Sequence, residues 1–115
     1  MNLQSFHMKK PGHNEAPGPA DPSMSFNLIY HADVKRVDLP KINMKDRSMI
    51  KRAIEERLAT RPEVFGKPLQ RTLKGYWRLR VGEYRVVFKI AENDILVLGI
   101  VHRKDVYQRV KKRIE

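Results

Sequence analysis

The sequence predicts an α+β protein: a small antiparallel sheet with helices packed on one face. Three observations lead to this prediction. In the first half of the chain, apolar residues recur at steps of three and four, as along one side of a helix. In the second half they alternate with polar residues, as on half-buried strands. The length of 115 residues provides for one domain with a single core.

The first half of the chain predicts one strand followed by two helices. Phe26–Tyr30 is a short apolar run with aromatic ends, which is typical of a strand. Helical spacing follows over His31–Leu39. Asn43 is a favoured N-cap residue, and the apolar stripe behind it predicts a longer helix that ends near Thr60.

The second half predicts three strands and a last helix. Trp77–Val81 and Tyr84–Ile90 each alternate between apolar and polar residues. Ile95–Val101 is apolar on both faces, which indicates a strand in the middle of the sheet. Lys104–Ile114 returns to helical spacing. The predicted order is therefore β-α-α-β-β-β-α, an antiparallel meander with helices packed on one face.

The first 24 residues differ from the rest in composition. They hold four prolines and two glycines and show no periodic apolar pattern. We interpret residues 1–24 as a disordered leader or a cloning-derived segment, and residues 25–115 as the folded domain.

The charge of the chain is its strongest compositional signal. Lys and Arg number 24 and Asp and Glu 13, which gives a net charge of +11. Charges in the N-terminal segment cancel, so the surplus lies on residues 25–115. So dense a positive charge repels itself, and a polyanion would relieve that repulsion. Nucleic acid, a ribosome, an acidic membrane surface or an acidic protein would each serve as that polyanion. Alternatively, the chain is a basic protein that has no polyanionic ligand.

Several classes of protein are excluded by what the chain lacks. No apolar run approaches the roughly 20 residues needed to cross a bilayer, and no signal peptide is visible. The absence of cysteine excludes disulfides and thiolate metal sites. The four histidines are scattered, and no glycine-rich phosphate loop or serine nucleophile motif occurs. We therefore expect a cytoplasmic protein with no membrane partner, metal or cofactor.

Arginines on one predicted hairpin form a candidate phosphate site. Arg78 and Arg80 point to the same face of their strand, because side chains repeat every two residues. Arg85 follows a tight turn, and if the register places it on that face, three guanidiniums converge. Guanidiniums bind phosphate oxygens in pairs and would stabilise charge that develops on a phosphodiester. Alternatively, these arginines form only the solvated face of a sheet.

Other side chains near the hairpin could complete a site for RNA cleavage. That reaction needs a base for the ribose 2′-hydroxyl, charge stabilisation and an acid for the leaving oxygen. His102 and Tyr107 are candidates for proton transfer, although each would also suit a structural role. Lys74 and Arg103 would add positive charge beside the three arginines. The candidate RNA-binding residues are Lys74, Arg80, His102 and Trp77. Trp77 could stack on a base or fill the core.

Two segments resemble a known family. Residues 73–88, LKGYWRLRVGEYRVVF, resemble the central hairpin of the RelE/ParE toxin superfamily. Residues 102–107, HRKDVY, resemble the closing motif of its RelE branch. The order of elements extends the resemblance from Phe26 to about Arg113.

The resemblance implies a toxin of a type II toxin–antitoxin system, an mRNA interferase that cuts mRNA in the ribosomal A site without metal. It implies a RelB-like antitoxin that neutralises the toxin in a hetero-oligomer. It places the catalytic role on four residues: Arg78, Arg85, Arg103 and Tyr107. Some members carry a second lysine where this chain has Tyr76 or Trp77, and Lys74 or Arg80 would compensate.

Two alternatives remain open at this point. A ParE-like inhibitor of DNA gyrase would share the fold and the hairpin and would need no nuclease activity. HRKDVY favours the nuclease, because a gyrase inhibitor has no need of a phosphate-facing arginine and tyrosine there. The other alternative is an inactive relative that binds RNA or ribosomes without cutting.

Overall fold

A computed structural model of the protein describes residues 25–114. The strands are β1 (Asn27–Tyr30), β2 (Lys67–Pro68), β3 (Trp77–Val81), β4 (Tyr84–Ala91) and β5 (Asp94–His102). The α-helices are α1 (Met44–Ala53), α2 (Pro62–Phe65) and α3 (Lys111–Ile114). π-helical turns span Val34–Asp38, Ile54–Leu58 and Val106–Val110, and 3₁₀ turns span Leu39–Lys41, Arg71–Leu73 and Arg103–Asp105. The α+β class and the predicted order of elements are confirmed, with β2 and α2 as additions.

The five strands form one sheet in the order β1-β5-β4-β3-β2. Strands β3, β4 and β5 pair antiparallel, as predicted, and the additional strand β2 pairs antiparallel with β3. The expectation of a purely antiparallel sheet is wrong for β1, which runs parallel to β5 with Asn27 opposite Asp94. The reason is that helices, and not a tight turn, follow β1 and carry the chain across the sheet, as parallel pairing requires. Strand β5 thereby lies inside the sheet between β1 and β4, in agreement with its apolar sequence.

The long predicted helix forms where expected. The Asn43 side chain accepts a hydrogen bond from the Asp46 backbone N–H at 2.8 Å, which caps the first turn of α1. The helix continues from α1 into the π-helical turn Ile54–Leu58. Its apolar stripe is fully buried at Ile50 and Leu58, so the stripe fixes this helix on the sheet.

Two apolar clusters lie on opposite faces of the sheet. Val86 and Phe88 belong to the larger cluster, which α1 covers, whereas Val87 between them belongs to the smaller one. Neighbouring residues of a strand point to opposite faces, so the two clusters occupy different faces. The members of the smaller cluster are Leu69, Leu73, Val87, Val101, Val106 and Val110.

The last helix therefore does not share a face with the others. The turn Val106–Val110 and α3 form what is here called the C-terminal helix, and Val106 and Val110 pack with Val87. The expectation that all helices pack on one face is wrong for this helix. Strand alternation turns Val87 and Val101 away from the main core, and the last apolar stripe buries them.

The proposed boundary after residue 24 stays a prediction, because residues 1–24 and Glu115 lie outside the described residues. Between residues 25 and 114, none of the helices has the length and apolar character that a bilayer crossing requires.

Candidate functional site

The face of the sheet beneath the C-terminal helix carries the predicted arginines. Arg78 and Arg80 flank the buried Leu79 on β3 and so point away from the main core. Arg80 lies directly opposite Arg85 of β4, and cross-strand partners share a face. The register that the sequence argument required is the one observed.

Two lysines extend this row of cations. Lys67 of β2 lies opposite Arg78, and Lys89 is on the same side of β4 as Arg85 by strand alternation. Lys67, Arg78, Arg80, Arg85 and Lys89 together are called the basic face. Sequence reasoning missed Lys67, because a two-residue strand has no periodicity. Lys89, by contrast, could have been predicted, because the alternation of β4 places it on the same face as Arg85.

Arg85 lies among like charges. Its Nη1 donates hydrogen bonds to the backbone oxygens of Gly82 and Tyr84, at 3.0 and 2.9 Å. Burial lowers the pKa of Arg85, and the nearby guanidiniums of Arg78, Arg80 and Arg103 lower it further. An arginine remains protonated at neutral pH even so. The cluster therefore concentrates positive potential that a bound anion would neutralise.

Arg103 reaches this neighbourhood through Glu83. Its Nε donates to Glu83 Oε1 at 2.9 Å, and its backbone N–H donates to the Glu83 backbone oxygen, also at 2.9 Å. The hydrogen bond from Arg103 holds the pKa of the Glu83 carboxyl below its usual value. Glu83 thus orients Arg103 at the turn between β3 and β4. Sequence reasoning treated Glu83 only as a turn residue.

Tyr107 stands at the edge of the same face. It follows Val106, which belongs to the smaller apolar cluster, and its side chain is exposed to solvent. The Tyr107 hydroxyl oxygen accepts a hydrogen bond from the Gln70 backbone N–H at 3.1 Å. A hydroxyl that accepts a hydrogen bond keeps its own proton for donation to a further acceptor, so Tyr107 retains a free donor.

The other predicted RNA-binding residues are placed differently. Lys74 is exposed in the loop before β3, where its backbone N–H donates to the Arg71 carbonyl at 3.1 Å. Trp77 stacks on Phe88 with ring centroids 6.4 Å apart and packs against the main core. The structure therefore brings Lys74 near the start of β3 but turns Trp77 to the face opposite Arg78.

His102 also lies away from the basic face. It pairs with Tyr84 at the end of β5, on the side opposite Arg85. Its Nδ1 accepts a hydrogen bond from the Lys104 backbone N–H at 3.2 Å, and its Nε2 lies 3.9 Å from Glu83 Oε1. The imidazole thus caps the turn that follows β5.

The donor set of the site suits anions. Among residues 25–114, no three His, Asp or Glu side chains come together in a group that could hold a metal ion. The basic face offers guanidinium and ammonium donors, and Tyr107 offers a hydroxyl. Such donors bind and neutralise a phosphodiester.

Fold and site together define a class: a small basic α+β protein with a row of guanidiniums on an antiparallel hairpin, closed by a helix that carries a tyrosine. Residues 33–107 match the family described as the ParE toxin of the type II toxin–antitoxin system parDE. The match covers more than half of the chain. The chain therefore belongs to this family, within the RelE/ParE superfamily of type II toxins.

Individual relatives agree with this assignment. The chain is 37% identical over 54 residues to Toxin RelG of Mycobacterium tuberculosis, a match covering 45% of this chain and 62% of that protein. The matched segment thus spans about three fifths of the relative's length. A toxin–antitoxin complex of the same organism, RelBE2, contains a chain that is 26% identical, with a TM-score of 0.63. That similarity covers 69% of this chain and 99% of the other.

An archaeal structure shows the same fold. A chain in the RelB–RelE antitoxin–toxin complex of Methanococcus jannaschii is 23% identical, with a TM-score of 0.55. The similarity covers 70% of this chain and 95% of the other. The predicted resemblance to the RelE/ParE superfamily is confirmed.

Proposed function

We propose that this toxin is a ribosome-dependent mRNA endonuclease that cuts mRNA in the ribosomal A site. The observation that carries the proposal is the convergence of Arg78, Arg80 and Arg85 on one face, with Tyr107 at its edge. A hairpin with so many like charges pays an electrostatic cost, which a polyanionic substrate would remove.

In this proposal the guanidiniums act on the scissile phosphate. Arg78 and Arg85 would bind its non-bridging oxygens and stabilise the charge that grows on them as the 2′-hydroxyl attacks phosphorus. Arg103 would join them once its hydrogen bond to Glu83 is exchanged for one to phosphate. Lys74 and Arg80 would contact neighbouring phosphates.

Tyr107 would act at the same phosphodiester. Its hydroxyl oxygen accepts from the Gln70 N–H, which leaves the hydroxyl proton available for donation. As the 2′-oxygen bonds to phosphorus and the P–O5′ bond breaks, the 2′-hydroxyl proton would pass to water and the Tyr107 hydroxyl would donate its proton to the leaving 5′-oxygen, regaining one from water afterwards. Alternatively, the ring would stack on a base. We assign no role to His102 or Trp77, because both lie on the opposite face.

A cognate antitoxin is part of the proposal. The similar chains from Mycobacterium tuberculosis and Methanococcus jannaschii were solved in toxin–antitoxin complexes. We propose that a RelB-like, acidic partner covers the basic charge of this toxin in a hetero-oligomer. The toxin would act in the cytoplasm, where ribosomes and mRNA are found.

Primer extension on ribosomes programmed with a defined mRNA tests the activity. Wild-type protein should produce A-site cuts, and Arg85→Ala should lower the cutting rate by about 100-fold or more, the scale of losing one preorganised charge-stabilising donor. Arg36→Ala is the matched control, because Arg36 is an exposed arginine outside the basic face. Intact mRNA with wild-type protein would overturn the proposal.

The second candidate is a ParE-like gyrase inhibitor. It is favoured by the family match, which is to ParE toxins. A supercoiling assay with purified gyrase separates the two functions. Inhibition by wild-type protein that persists in Arg85→Ala and Tyr107→Phe, together with intact mRNA, would establish the second candidate in place of the first.

A further inference from the structure

A buried ion pair joins the turn Val34–Asp38 to the C-terminal helix. Asp38 Oδ1 and Oδ2 accept hydrogen bonds from Arg113 Nη2 and Nη1, each at 2.7 Å. The Asp38 side chain is 0% exposed and that of Arg113 is 7% exposed. Paired, parallel hydrogen bonds between a guanidinium and a carboxylate fix orientation as well as distance.

The same two side chains also bind β5. Asp38 Oδ2 accepts a third hydrogen bond, from the Ile100 backbone N–H at 2.8 Å. Arg113 Nη1 donates to the Leu98 backbone oxygen at 2.9 Å. Both contacts lie beyond Tyr30↔Val97, the last paired position of β1 and β5. The ion pair therefore closes the part of the β5 edge that β1 leaves open.

Gly99 allows the C-terminal helix to approach this point. A Cβ atom at Gly99 would lie 3.0 Å from Arg113 Nη1 and 3.1 Å from Val110 Cγ2. Both distances are shorter than ordinary van der Waals contact, so a Cβ atom here would require the Arg113 or Val110 side chain to give way by a few tenths of an ångström. Three elements are thus packed closely around one guanidinium.

The helix that Arg113 anchors is the one that carries Tyr107. A helix of this length is not stable in isolation, so contacts with the rest of the protein must hold it. Val106 and Val110 hold it by apolar packing, and Arg113 holds its last turn. Asp38 and Arg113 also line a groove of about 700 Å³ between the helix and the turn Val34–Asp38. The helix would have room to shift if the pair were lost.

We infer that Asp38 and Arg113 are positioning residues that hold the C-terminal helix, and hence Tyr107, in register with the basic face. Because the role is assigned through Tyr107, the inference rests on the proposed nuclease function. The basic face itself stands on β2, β3 and β4, which the ion pair does not contact. Breaking the ion pair should therefore slow substrate turnover while leaving substrate binding nearly unchanged.

The pairing also keeps the guanidinium charged. The hydrogen bonds that Arg113 donates to Asp38 raise the pKa of Arg113 above its usual value, and the attraction of Asp38 and Asp33 adds to the effect. The ion pair therefore acts as a clamp whose cationic partner stays protonated.

The test compares Asp38→Asn and Arg113→Lys with wild-type protein and with a control variant, Glu56→Gln. The control breaks an exposed ion pair between α1 and the turn Ile54–Leu58. Cutting of ribosome-bound mRNA is measured over a range of ribosome concentrations. Hydrogen exchange of the helix amides is measured in parallel. Asp38→Asn should lower kcat by about 10-fold to 100-fold with KM within about 3-fold, because a small misplacement of a reacting group is enough for such a loss.

Arg113→Lys keeps the charge but not the paired hydrogen bonds, so its kcat should fall between those of Asp38→Asn and wild type. Helix amides of both variants should exchange faster, with strands β3 and β4 unchanged. If Asp38→Asn does not fold, the Arg113→Lys result decides. The inference is overturned if wild type cuts and a folded variant keeps its kcat, or if KM rises while kcat holds. Absence of cutting by wild type would instead overturn the proposed function, and the exchange data would still report on the helix.

Discussion

The two faces of the sheet have opposite characters, although they are made from the same strands. On β4, Val86 and Phe88 point into the large apolar cluster and are fully buried. Arg85 and Lys89 alternate with them and point to the basic face. The apolar packing on that second face is limited to a small cluster around Val87, beneath the C-terminal helix.

This difference separates stability from function within a single strand. Burial of large apolar side chains is the main favourable term in folding, so the α1 face should hold most of the stability. The basic face holds mutually repelling cations, among which Arg85 has a lowered pKa. Charges that oppose folding and that a polyanion would relieve are typical of a binding surface.

The largest expected effect breaks the apolar face. Phe88 is fully buried and stacks on Trp77, so Phe88→Ala should lower the free energy of unfolding by about 3–5 kcal/mol. Arg85→Ala, three positions earlier, should change it by less than about 1 kcal/mol. Urea denaturation of both variants checks the comparison. Equal losses of stability in the two variants would show that the stability of the fold is not concentrated on the apolar face.

An intermediate effect concerns the basic face alone. Lys67→Ala should weaken binding to single-stranded RNA and reduce the slope of log K against log salt by about 0.7, the effect of losing one phosphate contact. Lys67 is exposed and lies opposite Arg78, whereas the control Lys45→Ala removes an exposed charge from α1. Binding titrations at several salt concentrations measure both slopes. Identical slopes in the two variants would show that Lys67 makes no phosphate contact and does not belong to the RNA-binding surface.

The smallest effect concerns Glu83, the acidic neighbour of the basic face. Its pKa is lower in the folded protein than in the unfolded chain, mainly through the hydrogen bond from Arg103. The group therefore contributes stability above its unfolded pKa and loses that contribution as pH falls through its folded pKa. NMR titration of the carboxyl should show the low pKa in wild type and a higher one in Arg103→Ala. The same pKa in both proteins would contradict the assignment.

The sequence predicted the parts of the fold that depend on local periodicity. Alternation along β3 and β4 placed Arg78 and Arg80 together, and the tight turn after Val81 brought Arg85 opposite Arg80. The N-cap at Asn43 was also predictable, because a capping side chain acts on its own helix.

Features that depend on distant parts of the chain were not predictable. The pairing of β1 with β5 joins residues 67 positions apart, and no local pattern specifies it. The ion pair of Asp38 and Arg113 joins residues 75 positions apart, and both look like ordinary surface charges in the sequence. Trp77 was assigned to RNA contact as well as to the core, because alternation shows that two faces exist but not which one is buried.

The pairing of β1 with β5 has a consequence for synthesis of the toxin. Residues 27–30 are synthesised before residues 94–97 and cannot pair until these follow them. The clamp at Asp38 must likewise wait for Arg113. Contacts of such high sequence separation form late in folding. The sheet and the clamp therefore cannot be completed before residue 113 has been synthesised, so a shorter nascent chain holds β1 and Asp38 without their final partners.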